Sequence, residues 1–369
     1  KAVEVAKGVD VIDLGVGDPD RPTPAYIVEA LKQAVDNDKN HHYPSFKGLP
    51  EYRRAVAHWY KNNFQVELDP DKEVLACIGS KRGVADLPMA LCDPGDIVLV
   101  PNPCYTAYLP GILMAGAEVH FMPLLEENDF LPDLDAIPEE IRPRAKLMLL
   151  NFPGNPTAAL GPLPFFQNVV EFAGKYNIIV SHDAPYSEAV FDGNRQPSFL
   201  ETPGAKEVGI EFHSVSKVFN MSGWRCAHAV GNAEVLACLG KVRSNVDMGV
   251  FQPIQHAAIA ALTGSMDFTR GMCRVYNRRR DVLIEGLNRL GWKVRKNPAT
   301  FFVWTRVPRP GITSGDFASA VLKKSGVLFT PGRGFGEYGE GYIRIALTVE
   351  EDRLREAVDR IEKAGFVYA

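Results

Sequence analysis

The sequence predicts an α/β fold, with a large domain on a mostly parallel central sheet and a smaller α+β domain assembled from both chain ends. Three observations carry this. Short, wholly apolar runs alternate with longer amphipathic ones from about residue 73 onward, as expected of parallel strands covered on both faces by helices. Near the C-terminus the stretches 293–295, 301–307 and 342–347 are strand-like and read as a smaller antiparallel sheet. The chain has 369 residues, more than the roughly 250–300 at which one core stops growing.

Taken in order, Thr23-Pro24 reads as an N-cap followed by proline at the first helical position, opening a helix through about Val35. Residues 73–78, 97–100, 118–122, 146–151, 178–181, 209–213 and 226–230 read as strands. Between them lie helical patterns such as 165–176, where Phe166, Val169, Val170 and Ala173 recur on one face. A long helical region spans about 251–290. Residues 293–295, 301–307 and 342–347 read as the second sheet, and 350–363 as a closing helix. The expected division is 36–285 for the large domain, and 1–35 with 286–369 for the small one.

Composition narrows the function classes. The 46% apolar content and the net charge of −4, from 41 basic and 45 acidic side chains, describe a folded, mildly acidic chain with no bias toward nucleic acid or membrane surfaces. Cys77, Cys92, Cys104, Cys226, Cys238 and Cys273 are scattered, with no C-x-x-C pair. They read as reduced core residues of a cytoplasmic protein. No stretch has the length and apolarity of a membrane span. The chain opens on Lys1 with no signal-peptide pattern, and a short N-terminal arm is expected to precede it.

Two glycine motifs imitate a dinucleotide fingerprint, which needs a strand before it and a helix directly after. Gly334-Phe-Gly336-Glu-Tyr-Gly339 is followed by another strand, and Gly15-Val-Gly17-Asp-Pro-Asp20 leads through two prolines. Both fail on context.

The informative segment is Phe212-His-Ser214-Val-Ser216-Lys217-Val-Phe-Asn-Met-Ser-Gly-Trp-Arg225. A lysine just after a buried strand is driven toward its neutral form, the form that attacks an aldehyde. Ser214, Ser216 and Arg225 could together bind a phosphate. Asp183, at the carboxyl end of the 178–181 run, can keep a ring nitrogen protonated and make that ring an electron sink. Asn155 follows the 146–151 strand and can donate to a phenolate, although Asn-Pro is also an ordinary turn. Ile78-Gly-Ser80-Lys81 joins a strand to a helix, and its N–H groups suit an anion. Tyr105 could stack on a planar ring or be a core tyrosine. Each signal alone is ambiguous. Their occurrence together, at separate strand ends, is hard to assemble by chance.

With these residues in place, the sequence resembles the fold type I pyridoxal-phosphate aminotransferases and, among them, looks most like the LL-diaminopimelate aminotransferases. The resemblance runs along nearly the whole chain. It rests on 12–20, His42-Tyr-Pro-Ser-Phe-Lys-Gly-Leu49, Asn155-Pro-Thr-Ala-Ala159, Ser181-His-Asp-Ala-Pro-Tyr-Ser-Glu188, 212–225 and Gly339-Glu-Gly-Tyr-Ile-Arg-Ile-Ala346. It implies the aspartate aminotransferase-like fold with pyridoxal 5′-phosphate as cofactor and no metal. Lys217 becomes the Schiff-base lysine and Asp183 the pyridinium partner. Asn155 and Tyr186 would contact the ring hydroxyl, and Tyr105 would stack on the ring. Ser80, the Lys81 backbone, Ser214, Ser216 and Arg225 would form the phosphate cup. Tyr43 would reach the phosphate of a neighbouring subunit, implying a homodimer with shared active sites. Arg344 would clamp the substrate α-carboxylate, beside the Gly17 backbone and Asn155. Read from the residues alone, Arg344 sits among apolar neighbours, where a carboxylate ligand or an unseen acid must satisfy it.

Arg82, Pro185 and the Arg225-Cys-Ala-His228 run depart from the family pattern, and Phe46 stands where some relatives carry an acid. The resemblance implies ping-pong transamination between an amino acid and a 2-oxo acid, 2-oxoglutarate by family analogy, with Lys217 as general base, Tyr105 beside the ring, and Arg344 supplying orientation. Within the fold, the alternatives are an aminotransferase for aspartate, alanine or aromatic amino acids, and a carbon–sulfur lyase. A pyridoxal-phosphate-binding regulatory module is the remaining alternative.

Overall fold

The computed structural model describes residues 1–368. Its central sheet has seven strands in the order Val74–Cys77, Ala227–Gly231, Gly209–Ser214, Ile179–Asp183, Ala145–Asn151, Ile97–Asn102 and Glu118–Pro123. All seven match runs expected from the sequence. Only Ala227–Gly231 runs against its neighbours. The stretch 215–226 before it doubles back across the carboxyl end of the sheet, and this return carries both Lys217 and Arg225.

Alternation along the strands sends side chains to opposite faces. Leu99, Met148, Leu150 and Val180 join one apolar cluster, whereas Val98, Val100, Leu147, Leu149 and Phe212 join the other. Helix Leu163–Tyr176 covers the first face with Phe166, Val169, Val170 and Ala173, as its spacing predicted. Ser80–Leu91 covers the second, burying Val84 and Leu87.

A separate apolar cluster collects Ile12 and Leu14 from the start of the chain with Leu283, Phe301, Ile343, Leu354 and Ile361 from its end. Its sheet pairs Phe302–Arg306 antiparallel with Tyr342–Ala346, flanked by Thr330–Pro331. Helix Glu351–Lys363 packs on Asp267–Arg289. Ile27 and Leu262 belong to the central-sheet cluster instead, so helix Ala25–Val35 packs on Gln252–Thr263 rather than with the ends of the chain.

Four expectations change. The 251–290 region is two helices, Gln252–Thr263 and Asp267–Arg289, parted at Gly264, whose backbone turns extended. Residues 293–295 form no strand, because Lys293 has a left-handed backbone (φ 57°) that interrupts an extended run. Thr23 does not cap its helix. Pro24 occupies the N-cap position, and the Thr23 hydroxyl donates instead to the Asn220 carbonyl at 2.7 Å. The cysteines are all free, but Cys92, Cys238 and Cys273 are only half-buried rather than core residues. Residues 334–339 form short turns between two antiparallel strands, not a strand-to-helix junction.

Candidate active site

A cavity of about 270 Å³ opens at the carboxyl ends of the central strands. Into it converge Gly17, Ser80, Lys81, Tyr105, Asn155, Asp183, Tyr186, Ser214, Ser216, Lys217, Arg225 and Arg344. One expected residue is absent from this wall: Tyr43 is 81% exposed and faces away from the body of its own chain.

Asp183 ends its strand fully enclosed. Its Oδ2 accepts from the Tyr108 hydroxyl at 2.9 Å, while its Oδ1 is buried without any partner. Burial pushes this carboxyl up to about 6, against the pull of the Tyr108 bond. Asn151 donates to the Asp183 carbonyl at 2.6 Å and accepts from the Asn155 N–H at 2.7 Å. The loop after one strand is thereby tied to the end of the next.

Lys217 lies in the short helix Val215–Val218 that follows Gly209–Ser214. Its Nζ donates to the Gly17 carbonyl at 3.1 Å and lies 3.5 Å from Asp18 Oδ1. Burial lowers the pKa of the amine, and Asp18 partly opposes this. Gly17 must be glycine because a side chain there would overlap the Phe302 ring.

The anion end is a helix N-terminus. Ser80 begins Ser80–Leu91, so the first-turn N–H groups of Ser80 and Lys81 have no helical acceptor. Gly79 precedes them with φ 77°, and a side chain there would run into the Arg225 guanidinium. Arg225 is anchored by donating to the Ser222 carbonyl at 2.7 Å. Ser216 lines the wall, whereas the Ser214 hydroxyl is already engaged. It accepts from the Ser216 N–H at 3.1 Å, capping the short helix, and donates to the Cys226 carbonyl at 3.3 Å.

Across the cavity, Arg344 donates to Asn155 Oδ1 at 2.7 Å and to the Gly15 carbonyl at 2.8 Å. Its guanidinium lies over the Phe302 and Phe335 rings, 4.1 and 4.7 Å from their centroids. Among the described residues it forms no ion pair, its Nε is buried without a partner, and burial lowers its pKa to about 10. Among the described residues no acid pairs with it, and neutral oxygens of Asn155 and Gly15 take its bonds instead. Tyr186 packs edge-on to Phe301 and Phe302, at 5.4 and 5.8 Å, and burial raises its pKa. Tyr105 stands edge-on to Tyr108 at 5.7 Å.

Tyr108, Asn151, Asp18, Phe302 and Phe335 were not singled out as site residues. Tyr108 follows Tyr105 by one helical turn, a spacing that could have drawn attention to it. Phe302 and Phe335 look like core aromatics in sequence. Of the departures, Pro185 lines the cavity. Arg82 pairs with Asp86 at 2.7 Å, and His228 is buried against the Tyr52 hydroxyl at 3.0 Å. Phe46 lies beside Gly249.

The arrangement can bind an anion at one end, hold a protonated ring nitrogen at Asp183, present an amine between them, and receive a carboxylate at Arg344. A family model described as aminotransferase class I and II matches residues 9–361. A protein named LL-diaminopimelate aminotransferase from Moorella thermoacetica is 54% identical, over 97% of this chain and 91% of its own length. One of the same name from Halothermothrix orenii is 52% identical, over 98% and 93%. The structure of substrate-bound BacF from Bacillus subtilis superposes with a TM-score of 0.95 and 42% identity, covering 97% of this chain and 91% of the other.

Proposed function

The chain belongs to the class I and II aminotransferases and is a pyridoxal-phosphate enzyme, and from that premise we propose that it moves the amino group of LL-diaminopimelate to 2-oxoglutarate, as a step of lysine biosynthesis. The observation that carries the chemistry is the pairing of an orphaned, buried Asp183 Oδ1 with a part-desolvated Lys217 in one cavity. The substrate rests on the two relatives of that name.

The residues fit the cofactor. Asp183 Oδ1 needs a donor, which a protonated ring nitrogen supplies, and the Gly79–Lys81 turn with Arg225 offers donors to a phosphate. When bound, pyridoxal phosphate supplies an aldehyde carbon that bonds amines and a ring that takes up the electron pair left by a departing α-proton. Lys217 Nζ, steered by the Gly17 carbonyl and Asp18, takes that proton and returns it. Asp183 holds the ring proton, and Tyr108 keeps its carboxylate aimed. Asn155 and Tyr186, which line the same cavity, would contact the ring hydroxyl, and Tyr105 would stack on the ring. Arg344 orients the α-carboxylate while Asn155 orients Arg344. Ser216 and the Ser80 hydroxyl would complete the phosphate contacts, and Ser214 shapes the lysine turn.

The protein acts as a homodimer in the cytoplasm on this reading. Tyr43, Met248 and Phe251 are exposed on adjoining segments, for Gln252 bonds the His42 carbonyl, and an apolar patch of this kind suits a second copy. Six free thiols suit a reducing compartment.

The test is spectroscopic. Adding LL-diaminopimelate to the holoenzyme should convert the bound cofactor from its aldehyde-level to its amine-level absorption, and 2-oxoglutarate should restore it. Lys217→Ala should abolish the cycle. A fast response to aspartate or alanine with none to LL-diaminopimelate refutes the substrate. Release of ammonia and pyruvate without an acceptor would make the enzyme a lyase.

A further inference from the structure

A second cavity, of about 640 Å³ against about 270 Å³ for the first, is lined by Tyr342 and Trp304, which share a sheet face with Arg344. Its floor is a pair of stacked rings, Trp304 and Tyr342, with centroids 5.0 Å apart and planes 4° from parallel. Such a volume and lining suit a small molecule.

Backbone strain gathers around it. Asp129 and Phe130 are consecutive left-handed residues (φ 51° and 58°), and Lys293 is another (φ 57°); all three line the cavity. Ala158 (φ 58°) lies between the lining residues Thr157 and Ala159. None of the four is glycine, and non-glycine residues held this way cluster at binding sites. The active site shows the same feature at Arg225 (φ 56°).

The charge points to an anion. Lys293, Arg295, Lys296 and Arg306 line it beside the acids Glu126 and Asp129, and Lys296 is paired with Asp281 at 3.0 Å. Glu126 is already matched by Arg306 at 2.7 Å and Arg295 at 3.3 Å, while among the described residues Lys293 has no ion-pair partner.

The two cavities have no lining residue in common but are built on adjoining residues. Asn155 lines the first and Thr157 the second. Arg344 and Tyr342 lie on one strand, and Trp304 is the cross-strand partner of Arg344. Phe335 touches both, with its ring 5.9 Å from Trp304 and 4.7 Å from the Arg344 guanidinium. A molecule resting on Trp304 and Tyr342 therefore presses on the strand pair that positions Arg344.

We propose that this cavity is a second binding site, for a small organic anion with a flat apolar body, and that its occupancy changes the grip of Arg344 on substrate. The binding stands on its own; the coupling rests on the carboxylate role proposed above for Arg344. The holoenzyme is titrated with 1-anilinonaphthalene-8-sulfonate, reading energy transfer from tryptophan, with and without glutarate as a dicarboxylate for Arg344. The expected result is saturable binding of one probe per chain, weakened about five-fold or more by Lys293→Glu, a variant whose own turnover is unchanged. Glutarate should shift the affinity to a plateau, and the probe should shift glutarate affinity by the same factor. Absence of saturable binding, an affinity unaltered by Lys293→Glu, or complete displacement by glutarate overturns the site. Binding only to dissociated chains overturns it too, assigning the cavity to a second copy. Probe binding that leaves glutarate affinity unmoved overturns the coupling alone. Loss of the glutarate effect in an Arg344→Ala chain that still binds the probe is the expected result, and its persistence there overturns the route through Arg344.

Discussion

Asp183 concentrates the electrostatics of the site in one side chain. Its folded pKa of about 6 lies above the ordinary value of 3.8 because burial penalises the charged form. The sign follows from linkage. A raised acid pKa contributes stability that is whole below about pH 4 and is lost as pH rises through about 6, on the order of 3 kcal/mol. A cationic ring nitrogen opposite Oδ1 reverses that loss. The melting temperature of the cofactor-free protein should accordingly fall, relative to the holoenzyme, between pH 5 and pH 7.5, and Asp183→Asn should flatten the difference. An equal gap at both pH values, measured by calorimetry, would remove this role for the carboxylate. The acid itself was legible from its place at a strand end. Its orphaned oxygen and its Tyr108 clamp were not, because both depend on which neighbours surround it in space.

At the scale of elements, the strand-to-helix turn at Gly79 and the return segment 215–226 meet over the anion end of the cavity. Gly79 is constrained twice, by its positive φ and by the Arg225 guanidinium beside it. Gly79→Ala should weaken cofactor binding about ten-fold or more while leaving the far-ultraviolet dichroism intact, with unchanged affinity in an equilibrium titration as the contrary outcome. The seven strands were readable because parallel strands buried on both faces need unbroken apolar runs. The break at Gly264 and the loss of a strand at 293–295 were not. Neither a single glycine in a helical pattern nor a left-handed lysine announces itself in a sequence, and Thr23 lost its capping role to a carbonyl almost two hundred residues away.

For the whole molecule, the exposure of Tyr43 is the telling fact. Tyr43 stands outside the cavity of its own chain, and the phosphate role proposed for it would require it to act across an interface. Sedimentation should show a dimer, and Tyr43→Phe should loosen the cofactor without disturbing that dimer. A fully active monomer would refute the shared site.

The sequence by itself determined the sheet, the family, and the residues that converge on one cavity, because these are local: strand ends, helix starts and short motifs. Only the tertiary structure decided that Arg344 meets Asn155 and two phenylalanines instead of an acid, and that Ser214 spends its hydroxyl on a turn. It alone shows a larger cavity lined from the strand pair that carries Arg344. Those outcomes join residues far apart in the chain, where burial and charge are set by the folded neighbours and not by the residues beside them in sequence.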